Sequence, residues 1–199
     1  MFYNCAKTIV WFILKILYRI KVIGLENLPH EGGYILAANH RCLLDPIFIA
    51  AELKNRVYFM AKKELFWFPF NLLLHALGAF PVKRGEGDHS AVEKADNIIK
   101  EKKILGIFPE GTRSKTGEPL RPKSGIAVIA KDTKADILPV GIHFEGKLRF
   151  GSKVTISYGK PIKFEELGLC DEMQPSAIKK ASRLIMDRII ELSSLKGND

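Results

Sequence analysis

The stretch Tyr34-Ile35-Leu36-Ala37-Ala38-Asn39-His40-Arg41-Cys42-Leu43-Leu44-Asp45-Pro46 begins as five apolar residues and breaks into a polar turn. A short apolar run entered through Gly32-Gly33 predicts a strand buried on both faces. His40 then falls at the strand's carboxyl end, where open α/β sheets hold their ligands.

Working outward, comparable runs at Val57 to Ala61, Ile104 to Phe108, Ile137 to Ile142 and Val154 to Tyr158 predict further strands. Helical periods separate them. Ser90 and Glu93 form a capping-box signature ahead of Val92, Ala95, Ile98 and Ile99, and Pro175 to Leu195 aligns Ile178, Ala181, Ile185, Ile189 and Leu192 on one face. Leu25 to Gly33 has the composition of a loop. Strands alternating with helices predict an α/β fold: a mostly parallel central sheet flanked by helices.

The first residues, MFYNCAKTIVWFILKILYRIKVI, are apolar and basic together. Their longest apolar run, Ile9 to Leu14, is far below the roughly 20 residues that span a bilayer, and no small-residue cleavage site marks a signal peptide. On a helical projection Asn4, Thr8, Trp11, Lys15 and Tyr18 form a narrow stripe opposite a wide apolar face. This predicts an N-terminal amphipathic helix lying in a membrane interface, with cations at headgroups and Trp and Tyr at the boundary. A terminal helix packed on its own domain is the alternative. The expected division is residues 1–23 as a membrane-associating segment and residues 24–199 as a single domain. Leu65 to Leu74, apolar but for Asn71, is either core or a second greasy surface.

The 199 residues carry 31 Lys+Arg against 22 Asp+Glu, a net charge of +9, spread over both halves without a basic tail. Nucleic acid, anionic lipid or a phosphorylated substrate would each suit that charge. A chain of this length builds a core without staples, and Cys5, Cys42 and Cys170 offer no CxxC pair, so disulfide and zinc-ribbon frameworks are excluded. His30, His75, His89 and His143 show no ligand spacing, so no metal and no cofactor are expected. A GxSxG elbow is missing, and Glu118 and Pro119 stand where a Walker loop needs Lys and Ser or Thr. No nucleic-acid-reading motif is visible.

Three short blocks remain. A turn between His40 and Asp45 can bring the carboxylate to Nδ1–H, fixing the tautomer and leaving Nε2 as a base; Asp45 before Pro46 is equally a helix N-cap. Gly78 to Arg84 ends in two cations followed by Gly85, a combination that receives phosphate. Phe108-Pro109-Glu110-Gly111-Thr112-Arg113-Ser114 follows an apolar strand with a glycine, a hydroxyl and a guanidinium. Backbone N–H groups of such a turn stabilise an oxyanion or phosphate, and Arg113 can hold phosphate bidentately.

Together, from Asn39 to Val140, these blocks resemble the 1-acylglycerol-3-phosphate acyltransferases. The resemblance implies His40 as general base and Asp45 as its orienting partner. It implies that Arg84, Glu110, Gly111, Thr112 and Arg113 shape the acceptor-phosphate and oxyanion region, with Lys62 near the acyl carbonyl. It implies transfer from acyl-CoA or acyl carrier protein to lysophosphatidate on the cytoplasmic face of the cell membrane. Another lysophospholipid acceptor, or a non-catalytic lipid-binding module, are the alternatives. Two positions depart from the family pattern: Cys42 stands where serine is common, and the later basic-glycine block appears as Arg121-Pro122-Lys123-Ser124-Gly125. Cys42 raises a covalent acyl-cysteine route that an aspartate-oriented histidine does not need.

Overall fold

A computed structural model describes residues 2–68, 71, 74–75, 78–82, 89–170 and 174–195. In chain order the elements are α1 (Phe2–Leu17), β1 (Arg19–Ile23), β2 (Tyr34–Ala38), α2 (Asp45–Ala50), β3 (Val57–Lys62) and β4 (Ala79–Val82). They continue with α3 (His89–Lys100), β5 (Ile104–Ile107), α4 (Gly125–Thr133), β6 (Ile137–His143), β7 (Lys153–Tyr158) and α5 (Pro175–Ser193).

Among the described residues, seven strands form one sheet in the order β1-β7-β6-β2-β5-β3-β4. Neighbours are parallel except β6 and β7. Every residue of central β2 is buried, because both faces of a parallel sheet are covered. Ile35 and Ala37 join Leu105, Ile107 and Ile137 beneath α3, α4 and α5. Tyr34, Leu36 and Ala38 join Phe59, Leu138 and Val140 on the other face, beneath α1 and α2.

This layering positions the site. The chain leaves β2 through α2 toward β3, and leaves β5 through α4 on the opposite face toward β6. The carboxyl ends of neighbouring β2 and β5 therefore border a crevice between oppositely directed connections.

The strands at Ala79–Val82 and Arg19–Ile23 are additions to the five expected ones. β1 pairs in parallel with β7, Arg19 opposite Lys153, so residues 1–23 divide into a helix and a sheet strand and the domain begins before residue 24. At α1 the two aromatic residues expected at the membrane boundary, Trp11 and Tyr18, instead pack on the domain. Val10, Trp11, Leu14 and Tyr18 pack on the core, Lys7 Nζ donates to the Leu53 carbonyl, and Lys15 lies 3.8 Å from Glu52. The domain-facing side thus combines Trp11 and Tyr18 of the narrow stripe with Val10 and Leu14 of the wide apolar face, while Thr8 and Lys15 are exposed together with Ile9, Phe12, Ile13 and Ile16. Of Leu65 to Leu74, Leu65, Trp67 and Phe68 are exposed, while Pro69, Phe70, Leu72 and Leu73 lie outside the described residues.

Candidate active site

Asn39 extends the β2 ladder with its side chain. Its amide donates to the Ile142 carbonyl at 2.9 Å and accepts the Ile142 N–H at 2.8 Å, tying the end of β2 to β6. The next residue is thereby delivered to the crevice in a fixed direction.

His40 Nδ1 lies 2.8 Å from Asp45 Oδ2. Asp45 is fully buried, and the same oxygen accepts the N–H groups of Arg41 at 2.5 Å and Cys42 at 2.7 Å, while Cys42 Sγ donates to Oδ1 at 3.0 Å. Aspartate therefore caps the turn before it rather than its own helix, for which no side-chain cap bond exists. Four donors converge on one carboxylate, and a carboxylate oxygen that accepts assigns the donor role, and so the Nδ1 proton, to the histidine. Nε2 has no hydrogen-bond partner among the described residues. The imidazole stacks on Phe108, centroids 4.1 Å apart, and Phe108 lies parallel to Phe59 at 5.9 Å.

The loop after β5 grips His40 by its backbone. Glu110 Oε1 accepts the His40 N–H at 2.7 Å, its Oε2 accepts the Leu120 N–H at 2.9 Å, and Ser114 N–H donates to the His40 carbonyl at 2.8 Å. Burial is the main cause that pushes the Glu110 carboxyl above its ordinary value. Glu110 thus faces the protein interior, where its carboxyl group joins the loop to the backbone of the histidine. The Gly111 N–H donates to the Phe108 carbonyl at 3.0 Å, closing the turn, so it is not free to receive an oxyanion. Thr112 and Arg113 are exposed at the next two positions, and their backbone N–H groups have no partner among the described residues.

Lys62 ends β3, placing its backbone at the same end of the sheet as His40. Arg84 lies outside the described residues. Two basic residues escaped the sequence reading. Arg41 lays its guanidinium 4.0 Å over the Phe144 ring and donates from Nη1 to the Phe144 carbonyl at 2.5 Å, and a Cβ at Gly117 would come within 2.7 Å of Nη2. It bridges the segment after β6 and the loop after β5. Lys123 donates its N–H to Pro109 O at 2.8 Å, and its Cγ would lie 3.3 Å from a Cβ at Gly111. Only its place in a basic-glycine block could have pointed to it. Among the described residues no group of three or more His, Cys, Asp or Glu is arranged to hold a metal ion.

Residues 19–143 match the family model described as Acyltransferase. The 1-acyl-sn-glycerol-3-phosphate acyltransferase of Bacillus subtilis (strain 168) is 34% identical over 169 residues, 81% of this chain and 82% of that protein. Its namesake from Borreliella burgdorferi is 29% identical over 193 residues, 94% of this chain and 75% of that protein. In fold, the chain resembles the crystal structure of the 1-acyl-sn-glycerophosphate acyltransferase PlsC from Thermotoga maritima, with a TM-score of 0.72 and 24% identity over 98% of this chain and 80% of that one.

Proposed function

Since the chain belongs to the acyltransferase family, we propose that it is a 1-acylglycerol-3-phosphate acyltransferase, moving a fatty acyl group to the 2-hydroxyl of lysophosphatidate to form phosphatidate. The observation that carries the mechanism is the 2.8 Å contact of His40 Nδ1 with buried Asp45, which leaves Nε2 without a partner among the described residues.

In this reading the donor is a thioester of coenzyme A or acyl carrier protein. Nε2 takes the proton of the acceptor hydroxyl as its oxygen attacks the thioester carbonyl, and Asp45 stabilises the imidazolium that forms. The tetrahedral intermediate expels the thiolate, which receives the proton from Nε2. Carbon–oxygen bond formation and carbon–sulfur bond cleavage balance with no cofactor. The N–H groups of Thr112 and Arg113 are the donors offered to the developing oxyanion, with Lys62 near the acyl carbonyl. Arg84 and the Arg113 guanidinium serve the acceptor phosphate.

No helix among the described residues is long and apolar enough to cross a membrane. The reading places the protein as a peripheral or monotopic enzyme on the cytoplasmic face, with the outward face of α1 in the lipid interface. Ile9, Phe12, Ile13 and Ile16 support it, because a soluble helix would turn such a face inward.

The test is product formation by folded His40→Ala protein, given each thioester with lysophosphatidate and read by mass. A fall of about 10² to 10⁴ in rate is expected. Near-parental turnover would remove the dyad and favour a non-catalytic lipid-binding module.

A further inference from the structure

The proposed function assigns no role to the segment between β6 and β7, which carries Phe150, the most exposed large apolar side chain among those described, at 80%. A flexible loop would let such a ring fold back. Here the geometry is fixed. Arg149 N–H donates to Ser152 Oγ at 2.9 Å and Ser152 N–H donates to the Arg149 carbonyl at 3.0 Å, so residues 149–152 close as a turn with Phe150 at its tip. Gly151 holds the left-handed conformation at φ +76°, which an L side chain rarely adopts, and Leu148 packs into the core beneath.

The turn is also joined to α1. Gly151 N–H donates to the Leu17 carbonyl at 2.8 Å, and Arg19 N–H donates to the Ser152 carbonyl at 3.0 Å. Ile16 and Phe150 line one groove at this junction. The outward stripe of α1 therefore continues past the end of the helix onto the turn. Because β7 runs antiparallel to β6, and Arg19 pairs with Lys153, this junction lies at the end of the sheet where His40 emerges. Arg19 lines the same groove, and Lys147, Arg149 and Lys153 stand within three residues of Phe150 in the chain, all four exposed, against the single carboxylate of Glu145 in the same loop.

We propose that the 149–152 turn is a second bilayer contact, in which Phe150 enters the interface of an anionic lipid surface while Lys147 and Arg149 meet its headgroups. The proposal rests on the membrane-associated reading above. Its consequence is orientation. A helix held in the interface can roll about its axis, whereas a rigid turn beyond its end fixes the roll and keeps the rim of the crevice against the lipid that carries the acceptor. An apolar ring flanked in the chain by cations and continuous with a greasy helix face suits a lipid surface better than an acidic protein, for which the cations alone would suffice.

The test uses the full chain, sedimented with vesicles of phosphatidylcholine alone or mixed with phosphatidylglycerol. Phe150→Asp should lower partitioning about tenfold or more on both, in line with the burial of a phenyl ring. Arg149→Glu should weaken binding only on the anionic vesicles. Turnover of a short-chain lysophosphatidate dispersed in water should match the parent in both variants. A control with Phe12→Ser and Ile16→Ser reports on α1 itself. If that control detaches while Phe150→Asp binds as the parent does, the turn is not a contact although the membrane reading stands. If neither detaches, the membrane reading fails and the proposal with it. A Phe150→Asp loss confined to acyl carrier protein as donor, with vesicle binding unchanged, overturns the proposal in favour of a donor-docking surface.

Discussion

Glu110 accepts the backbone N–H of His40 at 2.7 Å, so the loop after β5 fixes the histidine through its peptide while Asp45 fixes its ring. The carboxyl group is buried, and its second oxygen accepts the N–H of Leu120.

Burial raises the Glu110 carboxyl above its ordinary 4.5, partly opposed by the N–H groups of His40 and Leu120. The folded protein therefore keeps this proton to higher pH than the unfolded chain. Stability falls as pH rises from the ordinary carboxylate value through the raised one. Glu110→Gln does not titrate. It carries a pH-independent cost of about 1–3 kcal/mol, because its NH2 must face one of the two backbone donors. The melting-temperature difference, variant minus parent, should grow more positive as pH is raised from about 4 toward 7; a difference independent of pH would mean that Glu110 does not titrate in that window.

What the sequence revealed and what it hid follow from the range of the forces involved. The five runs that became β2, β3, β5, β6 and β7 were visible because a strand covered on both faces must be apolar throughout. β1 was not, because Arg19 and Lys21 alternate with half-buried Ile20 and Val22 on an edge strand, and the basic pattern merges into the helix before it. The spacing of His40 and Asp45 allowed their contact without deciding it against a helix N-cap, and the family resemblance pointed to the pair. The inward turn of Glu110 was not, since acid residues in a polar loop face solvent as readily as backbone, and only tertiary closure onto His40 decides. α1 shows the same limit: periodicity outlines the helix but cannot say which residues meet the domain, and Trp11 and Tyr18 go inward together with Val10 and Leu14.

Cys42 donates its thiol proton to Asp45, and burial, followed by the charge of Asp45, pushes the thiol up to about 12. At pH 8 only about one part in ten thousand is thiolate, so iodoacetamide should modify exposed Cys170 while leaving Cys42 intact and transfer unimpaired. Peptide mass mapping against residual activity reads both. Cys42→Ser should also retain turnover, because a hydroxyl can donate to the same carboxylate oxygen. Rapid alkylation of Cys42 with matching loss of activity would revive the acyl-cysteine route.

For Arg84, the expected signature is selectivity. A charge-assisted bond to phosphate contributes about 1.5–3 kcal/mol, or about 10- to 100-fold in preference. Arg84→Ala should lower kcat/KM for lysophosphatidate by that factor and leave the slow reaction with monoacylglycerol nearly unchanged, since that acceptor has no phosphate. An equal loss on both acceptors, accompanied by a lower Tm, would make Arg84 a structural residue.

Gly106 tests whether the packing behind His40 matters to catalysis. It sits opposite Phe59 in the sheet, and a Cβ there would fall 2.3 Å from Phe59 Cε1. Phe59 lies parallel to Phe108 at 5.9 Å, and Phe108 stacks on the His40 ring at 4.1 Å, so a methyl group at Gly106 pushes on a column that ends at His40, the proposed base. Overpacking of this kind costs about 1–3 kcal/mol, and Gly106→Ala should lower Tm accordingly. It should also lower kcat while leaving KM for the acceptor little changed, because the residues proposed to hold the phosphate are not part of this column and only the aim of Nε2 is disturbed. Adding Phe59→Leu relieves the clash but takes one ring out of the column, so stability should recover further than kcat. Should Tm fall with kcat untouched, the aromatic column supports the fold alone, and the direction of the imidazole is set by Asp45 and Glu110 without it.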